Sequence, residues 1–130
     1  MYKYNSNTSF YSYLGPCRNV SNNSNTGLYI VVVPGAKAEL IVKGQVTVNS
    51  NEFFGMFSSL DSNANLEINV ESSATLTTCE NKFDIFGSVG TSSTLDFSGT
   101  GYTCDPNKVV FDGAGTVVDE PDCQACPPSP

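Results

Sequence analysis

The feature that most constrains the fold is an internal repeat in the middle of the chain. Three segments superimpose without gaps, and each has Thr as its second residue. A shorter apolar segment that begins with Leu precedes each of them. The long segments are 46–53, 76–83 and 102–109, and the short ones are 40–42, 66–68 and 95–97. Equivalent segments recur every 26–30 residues. This period is typical of solenoids, in which each repeat forms one coil of several short strands.

The alternation within these segments predicts which side chains form the core. Successive residues of a strand point to opposite faces, so every second residue faces the interior of a coil. One coil alone buries too little apolar surface to offset its ordering entropy, whereas stacked coils share a continuous core. The predicted inward residues are Leu40, Val42, Val46, Val48, Phe53 and Phe57 in the first coil, Leu66, Ile68, Leu76, Thr78, Phe83 and Ile85 in the second, and Leu95, Phe97, Tyr102, Cys104, Val109 and Phe111 in the third.

The repeat predicts an all-β fold, a single parallel β-solenoid of three full coils with about 26–30 residues each. The solenoid is expected to occupy residues 28–118, with partial coils at both ends. Residues 1–27 are predicted to form a polar and aromatic arm that packs on the solenoid or on a neighbouring molecule. Residues 119–130 are predicted to form an acidic tail rich in Cys and Pro. No segment has a sustained helical period.

Asparagine recurs at one position of the repeat. Asn51, Asn81 and Asn107 are equivalent and lie two residues before the third strand. Asn tolerates the left-handed backbone of a corner, and stacked Asn amides can bond one another along the axis. We therefore predict a structural Asn ladder. With this ladder and its coil size, the segment 28–118 resembles right-handed parallel β-helices of the pectate-lyase-like and surface-adhesin kind. The resemblance implies three short strands per coil and carries no catalytic motif.

Composition and charge exclude several classes of partner. The chain has 13 acidic and 6 basic residues and a net charge of −7, so no basic face is available for nucleic acid or anionic membranes. No apolar run is long enough for membrane insertion. The N-terminal residues lack the apolar region of a secretory signal, so we expect that any signal is absent from this chain.

Cysteines and glycosylation sequons point to an oxidising, extracellular or cell-surface location. Cys123 and Cys126 lie in a Pro-rich tail, where we predict a disulfide clasp to Cys104 or Cys17, and an odd number of cysteines leaves one thiol over. The disulfide candidates are Cys17, Cys79, Cys104, Cys123 and Cys126. The glycosylation candidates are Asn7, Asn19 and Asn22.

Few residues suggest chemistry. The chain has no His, which excludes a Ser-His-Asp triad and a histidine metal site. Glu67 and Asp96 fall in one outward column, and two adjacent carboxylates could bind a cation or transfer a proton. However, the matching residue of the first repeat is Ile41, and no basic residue is in register. We predict a solvated acidic face.

Two further patterns have simpler explanations. Asp61, Asn63 and Asn65 have the spacing of a calcium loop but lack its Gly and its final Glu, so a turn is the better interpretation. Thr residues form one outward column, which is too narrow for an ice-binding array. We therefore predict no catalytic residue, no metal and no cofactor.

These observations lead to an expected function. We expect a structural or adhesive extracellular β-solenoid that is not an enzyme and that self-associates, end to end, into a filament or surface appendage. Solenoid ends expose unpaired strands and favour such association unless they are capped. Glycans are the other expected partner. The alternatives are a carbohydrate-binding or polysaccharide-cleaving β-helix module and a viral fibre protein.

Overall fold

A computed structural model describes residues 2–6 and 9–128 of the chain. Within them, short strands follow one another in five successive coils, and a single 3₁₀ turn, Pro106–Lys108, precedes the last coil. The strands are β1 (Tyr2–Ser6), β2 (Phe10–Leu14) and β3 (Arg18–Asn19) in coil 1; β4 (Thr26–Val32), β5 (Lys37–Val42) and β6 (Gln45–Thr47) in coil 2; β7 (Phe54–Leu60), β8 (Asn65–Val70) and β9 (Thr75–Thr78) in coil 3; β10 (Phe83–Val89), β11 (Thr94–Ser98) and β12 (Tyr102–Cys104) in coil 4; and β13 (Val109–Asp112), β14 (Thr116–Asp119) and β15 (Cys123–Gln124) in coil 5.

Each coil contributes one strand to each of three sheets. Sheet A has the order β1-β4-β7-β10-β13, sheet B has β2-β5-β8-β11-β14, and sheet C has β3-β6-β9-β12-β15. Every pair of neighbouring strands is parallel. The predicted all-β parallel solenoid is confirmed. From β1 to β13 the chain makes about four turns, which stack the five coils, where three full coils were expected. Among the described residues no helix could span a bilayer.

The solenoid extends past the predicted limits of 28–118 at both ends. Strands β1, β2 and β3 pair in register with β4, β5 and β6, so the segment predicted as an arm forms a coil of the solenoid itself. At the other end, β15 pairs with β12. The repeat is hidden in coil 1 because polar residues there align with inward apolar residues of coil 2: half-buried Ser12 aligns with Leu40, and exposed Arg18 aligns with Val46.

The predicted inward residues are buried or pack against the core, with three exceptions. Phe53 is 41% exposed, and Phe57 and Phe83 are only half-buried. The corner before β7 has one residue more than the corner before β10, because Thr47 aligns with Thr77 but Phe54 aligns with Phe83. Met56, not Phe57, therefore faces the core.

The start of each sheet A strand also departs from strict alternation. In β7 the burial pattern places Phe54 and Phe57 outside and the two residues between them inside, and β10 repeats this pattern. The irregular positions are Gly27, Gly55 and Asp84, which share one column. Strict alternation of inward and outward side chains fails at such a position. The prediction that Phe83 faces the core is therefore wrong.

Asn side chains form a hydrogen-bonded ladder at the corner between sheets C and A, where Asn51 and Asn81 are buried and Asn23 is half-buried. Asn23 Nδ2 donates to Asn51 Oδ1 at 2.8 Å, and Asn51 Nδ2 donates to Asn81 Oδ1 at 3.0 Å. The backbone N–H groups of Asn23 and Asn51 donate to the same two oxygens at 3.0 and 2.8 Å. The ladder thus contains Asn51 and Asn81, and it begins one coil earlier, at Asn23.

Asp84 ends the ladder in place of Asn107. Asn81 Nδ2 donates to Asp84 Oδ1 at 3.0 Å, and Asp84 Oδ2 accepts from the Asp105 N–H at 2.9 Å. The corner before β13 is two residues shorter than the one before β10, since Cys104 aligns with Thr78 and Val109 with Ile85. Asn107 is consequently exposed on the 3₁₀ turn, so its assignment to the ladder was wrong.

Glycines leave room for this ladder. A Cβ on Gly27 would lie 2.7 Å from Asn51 Nδ2, and one on Gly55 would lie 2.6 Å from Asn81 Nδ2. Both contacts are too short, so these positions require Gly. Asp84 takes the same column in coil 4, where no Asn enters from the next coil. Burial raises the pKa of the Asp84 carboxyl, although hydrogen bonds from Asp105 and Asn81 oppose this effect.

Candidate functional site

The outer surface of sheet A carries a cluster of aromatic rings. Tyr29, Phe57 and Phe86 occupy one register column of successive coils, and Phe54 and Phe83 occupy a second. We call these five residues the aromatic face. The four phenylalanines of this face and the neighbouring Phe53 lie outside the solenoid core, so five of the eight phenylalanines are on the surface. Large apolar surfaces of this kind commonly mark interaction sites.

The rings stack along the solenoid axis. The centroids of Tyr29 and Phe57 are 5.2 Å apart with an interplanar angle of 6°, and those of Phe57 and Phe86 are 5.3 Å apart at 12°. Phe54 stacks on Phe83 with centroids 5.5 Å apart, and its ring meets Phe57 edge to face with centroids 4.9 Å apart. Both faces of the Phe57 ring are therefore covered by neighbours, and the surface offers mainly ring edges.

Charged residues lie at the margins of the aromatic face and not at its centre. Lys3 Nζ is 5.8 Å from the Tyr29 ring centroid at the coil 1 end. Asp112 is exposed at the coil 5 end, one outward column away. Lys82 Nζ lies 5.3 Å from the Phe53 ring, beside the second column. Between these charges the outward positions hold aromatic, aliphatic and Ser side chains.

A small pocket opens beside the aromatic face near coil 2. Its volume is about 290 Å³. The second aromatic column ends here, because Thr26 aligns with Phe54 and no ring continues the stack. The pocket is lined by Lys3, Asn25, Thr26, Tyr29, Phe54 and Phe57. Its walls are mostly apolar, so an aromatic or aliphatic side chain would fill it well.

Sheet B carries a second distinctive surface, a column of carboxylates. Glu67 and Asp96 align in register, and the column continues to Glu39 in coil 2 and to Asp119 in coil 5. We call these four residues the acidic column. Ile41, which the sequence matched with Glu67, aligns with Asn69 instead. A slip of two residues leaves every side chain on its face, so an alternating pattern cannot reveal it.

Crowding in the acidic column affects Asp96. Burial raises the pKa of its carboxyl, and the nearby charges of Asp119 and Glu67 raise it further. Asp96 Oδ1 is buried and has no hydrogen-bond partner among the described residues. An open groove of about 600 Å³ runs beside the column, with Lys37 and Val118 among its lining residues.

Neither carboxylate pattern forms a metal centre. In residues 2–6 and 9–128, no group of three or more His, Cys, Asp or Glu side chains is arranged to hold a metal ion. The segment with calcium-loop spacing is a turn, in which Asp61 Oδ1 accepts the Ser62 N–H at 2.8 Å. Asn63 has a left-handed backbone with φ 56°, and Asn65 accepts a hydrogen bond from the Thr94 hydroxyl. These residues thus serve local structure.

Two disulfides fasten the C-terminal tail. Cys104 bonds to Cys123 with a Cα–Cα distance of 5.1 Å, and Cys79 bonds to Cys126 with a distance of 6.0 Å. The tail is therefore clasped to coils 3 and 4. Cys17, which was also a disulfide candidate, is a free and exposed thiol in coil 1. Two disulfides indicate an oxidising environment.

The remaining predicted sites lie on sheet C and its corners. Thr47, Thr77 and Thr103 form the predicted outward column in register. Asn19 and Asn22 are both exposed, so their side chains are accessible, and their glycosylation stays a prediction. Asn7 lies outside the described residues.

The aromatic face has only a weak signal in the sequence. Phe54 and Phe57 recur one coil later as Phe83 and Phe86, but an alternating pattern predicts that Phe57 and Phe83 face the core.

No protein-family model, curated protein or solved structure matches the chain. The class to which the chain belongs is therefore defined by its architecture, a parallel β-solenoid of the β-helix type.

Proposed function

We propose that the protein is a structural module of an extracellular surface, which works by self-association and not by catalysis. The observation that carries this proposal is the aromatic face, a broad uncharged apolar surface on the outside of a disulfide-fastened solenoid. Contiguous apolar surfaces cost solubility and persist where they are covered by a partner. The two disulfides support an extracellular location.

The rigidity of the solenoid supports a structural role. All three sheets run the length of the coils, the Asn ladder bonds successive coils within one corner, and the disulfides fix the last coil. Such a body presents its outer surfaces at fixed spacing, as a building block requires. The acidic column supplies negative charge on a separate sheet, which favours solubility of the assembled surface.

The carbohydrate alternative receives less support from the same residues. Sugar C–H groups pack on the electron-rich face of an aromatic ring. Both faces of Phe57 are occupied by Tyr29 and Phe86, so the centre of the aromatic face offers no free ring face. A glycan array with the purified chain addresses this alternative directly, and strong binding to one glycan class would favour it over a purely structural role.

Sedimentation velocity over a wide range of protein concentrations tests the proposal. We expect the weight-average sedimentation coefficient to rise with concentration, and negative-stain images to contain particles larger than one chain. The Cys17→Ser variant is the matched control, because it separates non-covalent association from disulfide cross-linking through the exposed thiol. A chain that stays monomeric at its highest soluble concentration, with and without reductant, would refute self-association.

A further inference from the structure

We propose that sheet A packs face to face on sheet A of a second copy, with the two solenoid axes antiparallel. This inference rests on the proposed self-association and names its surface and geometry. The aromatic face is uncovered by any described segment, because the C-terminal tail is fastened along sheet C, to Cys79 and Cys104. A second copy is the occupant that matches the charges and shape of this surface.

The central strand of sheet A defines the symmetry. Strand β7 has two strands on either side. A twofold axis parallel to β7 and lying between the two sheets places coil 1 of one copy opposite coil 5 of the other, and coil 2 opposite coil 4. The same surface is then used by both copies, as closed dimers require.

Charge complementarity favours this arrangement. Lys3 lies in coil 1, in the column that contains Phe57. Asp112 lies in coil 5, in a parallel column two residues further along the strand direction. The twofold brings the Lys3 of each copy within roughly 7 Å of the other copy's Asp112 along the strand, which a Lys side chain can span. With parallel axes, the two Lys3 residues would instead lie at one end of the pair and the two Asp112 residues at the other.

Shape complementarity points to the same symmetry. In coil 2 the second aromatic column stops at Thr26, beside the pocket of about 290 Å³. In coil 4 the same column carries the Phe83 ring. Because coil 2 faces coil 4 of the other copy, each Phe83 lies over the position where its partner lacks a ring. The projecting side chain and the pocket are therefore supplied by the same sequence.

The size of sheet A predicts a modest affinity. The five strands of sheet A have 5, 7, 7, 7 and 4 residues. They span an area of about 480 Å², so two copies would bury about 950 Å² in total. Stable specific interfaces bury roughly 1,200–2,000 Å². The pair is thus expected to form reversibly, in a concentration-dependent equilibrium, and to be strengthened where many copies are held on one surface.

End-to-end stacking is less favourable than this side-by-side packing. The coil 5 end presents the half-buried apolar residues Val109, Phe111 and Val117. The coil 1 end carries Arg18 in the inward column that continues to Cys123. Stacking coil 1 on coil 5 would bury this guanidinium against an apolar core, and buried charge of this kind opposes association.

A first experiment compares two apolar-to-polar substitutions by sedimentation velocity. Phe57→Ser removes the central ring without changing the inward face of β7. Val118→Ser is the control, because Val118 is 54% exposed and lines the open groove beside the acidic column, away from sheet A. We expect Phe57→Ser to weaken association at least about tenfold, as central hot-spot residues do, and Val118→Ser to leave it unchanged. Circular dichroism verifies that both variants keep the β-solenoid.

A second experiment tests the antiparallel geometry without touching any ring. Lys3→Asp and Asp112→Lys should each weaken association, and the double variant should restore it, because the charges are exchanged across the interface. The restored association should weaken as salt is raised. A double variant weaker than either single variant would overturn the antiparallel arrangement.

The outcomes separate this inference from the proposed function. If the wild-type chain self-associates while Phe57→Ser and the charge variants associate equally well, the aromatic face is not the interface, and the structural role survives. If the wild-type chain never associates, self-association itself is refuted.

Discussion

Truncation of Asn81 should remove a large part of the stability of the solenoid. Its Oδ1 accepts hydrogen bonds from the backbone N–H and the side-chain Nδ2 of Asn51, at 2.8 and 3.0 Å. Its Nδ2 donates to Val48 O and to Asp84 Oδ1, both at 3.0 Å. Asn81 is 2% exposed, so water cannot replace these partners. The Asn81→Ala variant leaves buried donors and acceptors on both sides of the cavity.

The magnitude follows from the number of groups left without partners. Each buried polar group that loses its partner costs about 1–3 kcal/mol. Two or three such groups give an expected loss of about 3–6 kcal/mol, against a total stability of roughly 5–15 kcal/mol for a domain. Urea denaturation followed by far-ultraviolet circular dichroism measures this loss as a shift of the midpoint at constant slope.

Asn107→Ala is the matched control, because the same sequence position of the repeat is exposed in the structure. Its expected effect is within about 0.5 kcal/mol, as for most surface substitutions. An Asn81→Ala variant that loses less than about 1 kcal/mol, or an Asn107→Ala variant that loses as much, would refute the assignment of the ladder.

A second substitution at Asn81 tests the role of Asp84 as the end of the ladder. Asn81→Asp keeps the oxygen that accepts from Asn51 but replaces the amide donor with a carboxylate oxygen, which then faces the buried Asp84 carboxylate. Two carboxylates at this distance repel each other, so one takes up a proton more readily. We expect this variant to be unstable at pH 7 and to recover part of its stability in acid. Equal destabilisation at both pH values would argue against direct contact.

Three further predictions concern the corner, the acidic column and the tail. Gly55→Ala places a Cβ 2.6 Å from Asn81 Nδ2, so its melting temperature should fall, and a wild-type value would contradict the steric requirement. Burial, and then the charge of Asp119, raises the pKa of the Asp96 carboxyl above its ordinary value of 3.8. Between that value and the raised pKa, the native state therefore binds more protons than the unfolded state. Stability should accordingly rise as pH is lowered through that range. In urea titrations Asp96→Asn should be more stable at pH 7 with a flatter pH dependence, and an unchanged profile would exclude this cause. Cys126→Ser removes a cross-link between residues 47 apart in sequence and should lower the stability by about 4 kcal/mol in the chain-entropy model. Proteases should also cleave the tail earlier. An unchanged urea midpoint and an unchanged cleavage rate would contradict a structural role for this disulfide.

Much of the fold could be predicted because coils of one solenoid repeat the same local interactions. The alternation of apolar residues identified the strands that build most of the core, and the recurrence of Thr indicated the register of sheet C. The repeat pattern does not extend into coil 1, because Ser12 and Arg18 are polar where the aligned residues of coil 2 are apolar and inward. Terminal repeats face solvent on one side, so they do not need the apolar pattern of the interior.

The candidate site was harder to predict than the fold. The aromatic face depends on one additional residue in the corner before β7 and on the irregular column of Gly27, Gly55 and Asp84, and neither alters the apparent repeat. The acidic column was shortened to Glu67 and Asp96 because a slip of two residues keeps every side chain on its face. Corner lengths, and not strand patterns, set these alignments.

The period, the parallel stacking and most of the core can be derived from the amino-acid sequence, because they depend on local alternation and on repetition along the chain. The closure of each corner is visible only in the folded chain, and the corners determine which residues meet between coils. Asn23 enters the ladder and Asn107 leaves it for this reason, since a corner two residues shorter cannot carry an amide into the interior. Phe54, Phe57, Phe83 and Phe86 face outward for a related reason, because corner length and the irregular column of Gly27, Gly55 and Asp84 set the direction of side chains at the start of each sheet A strand.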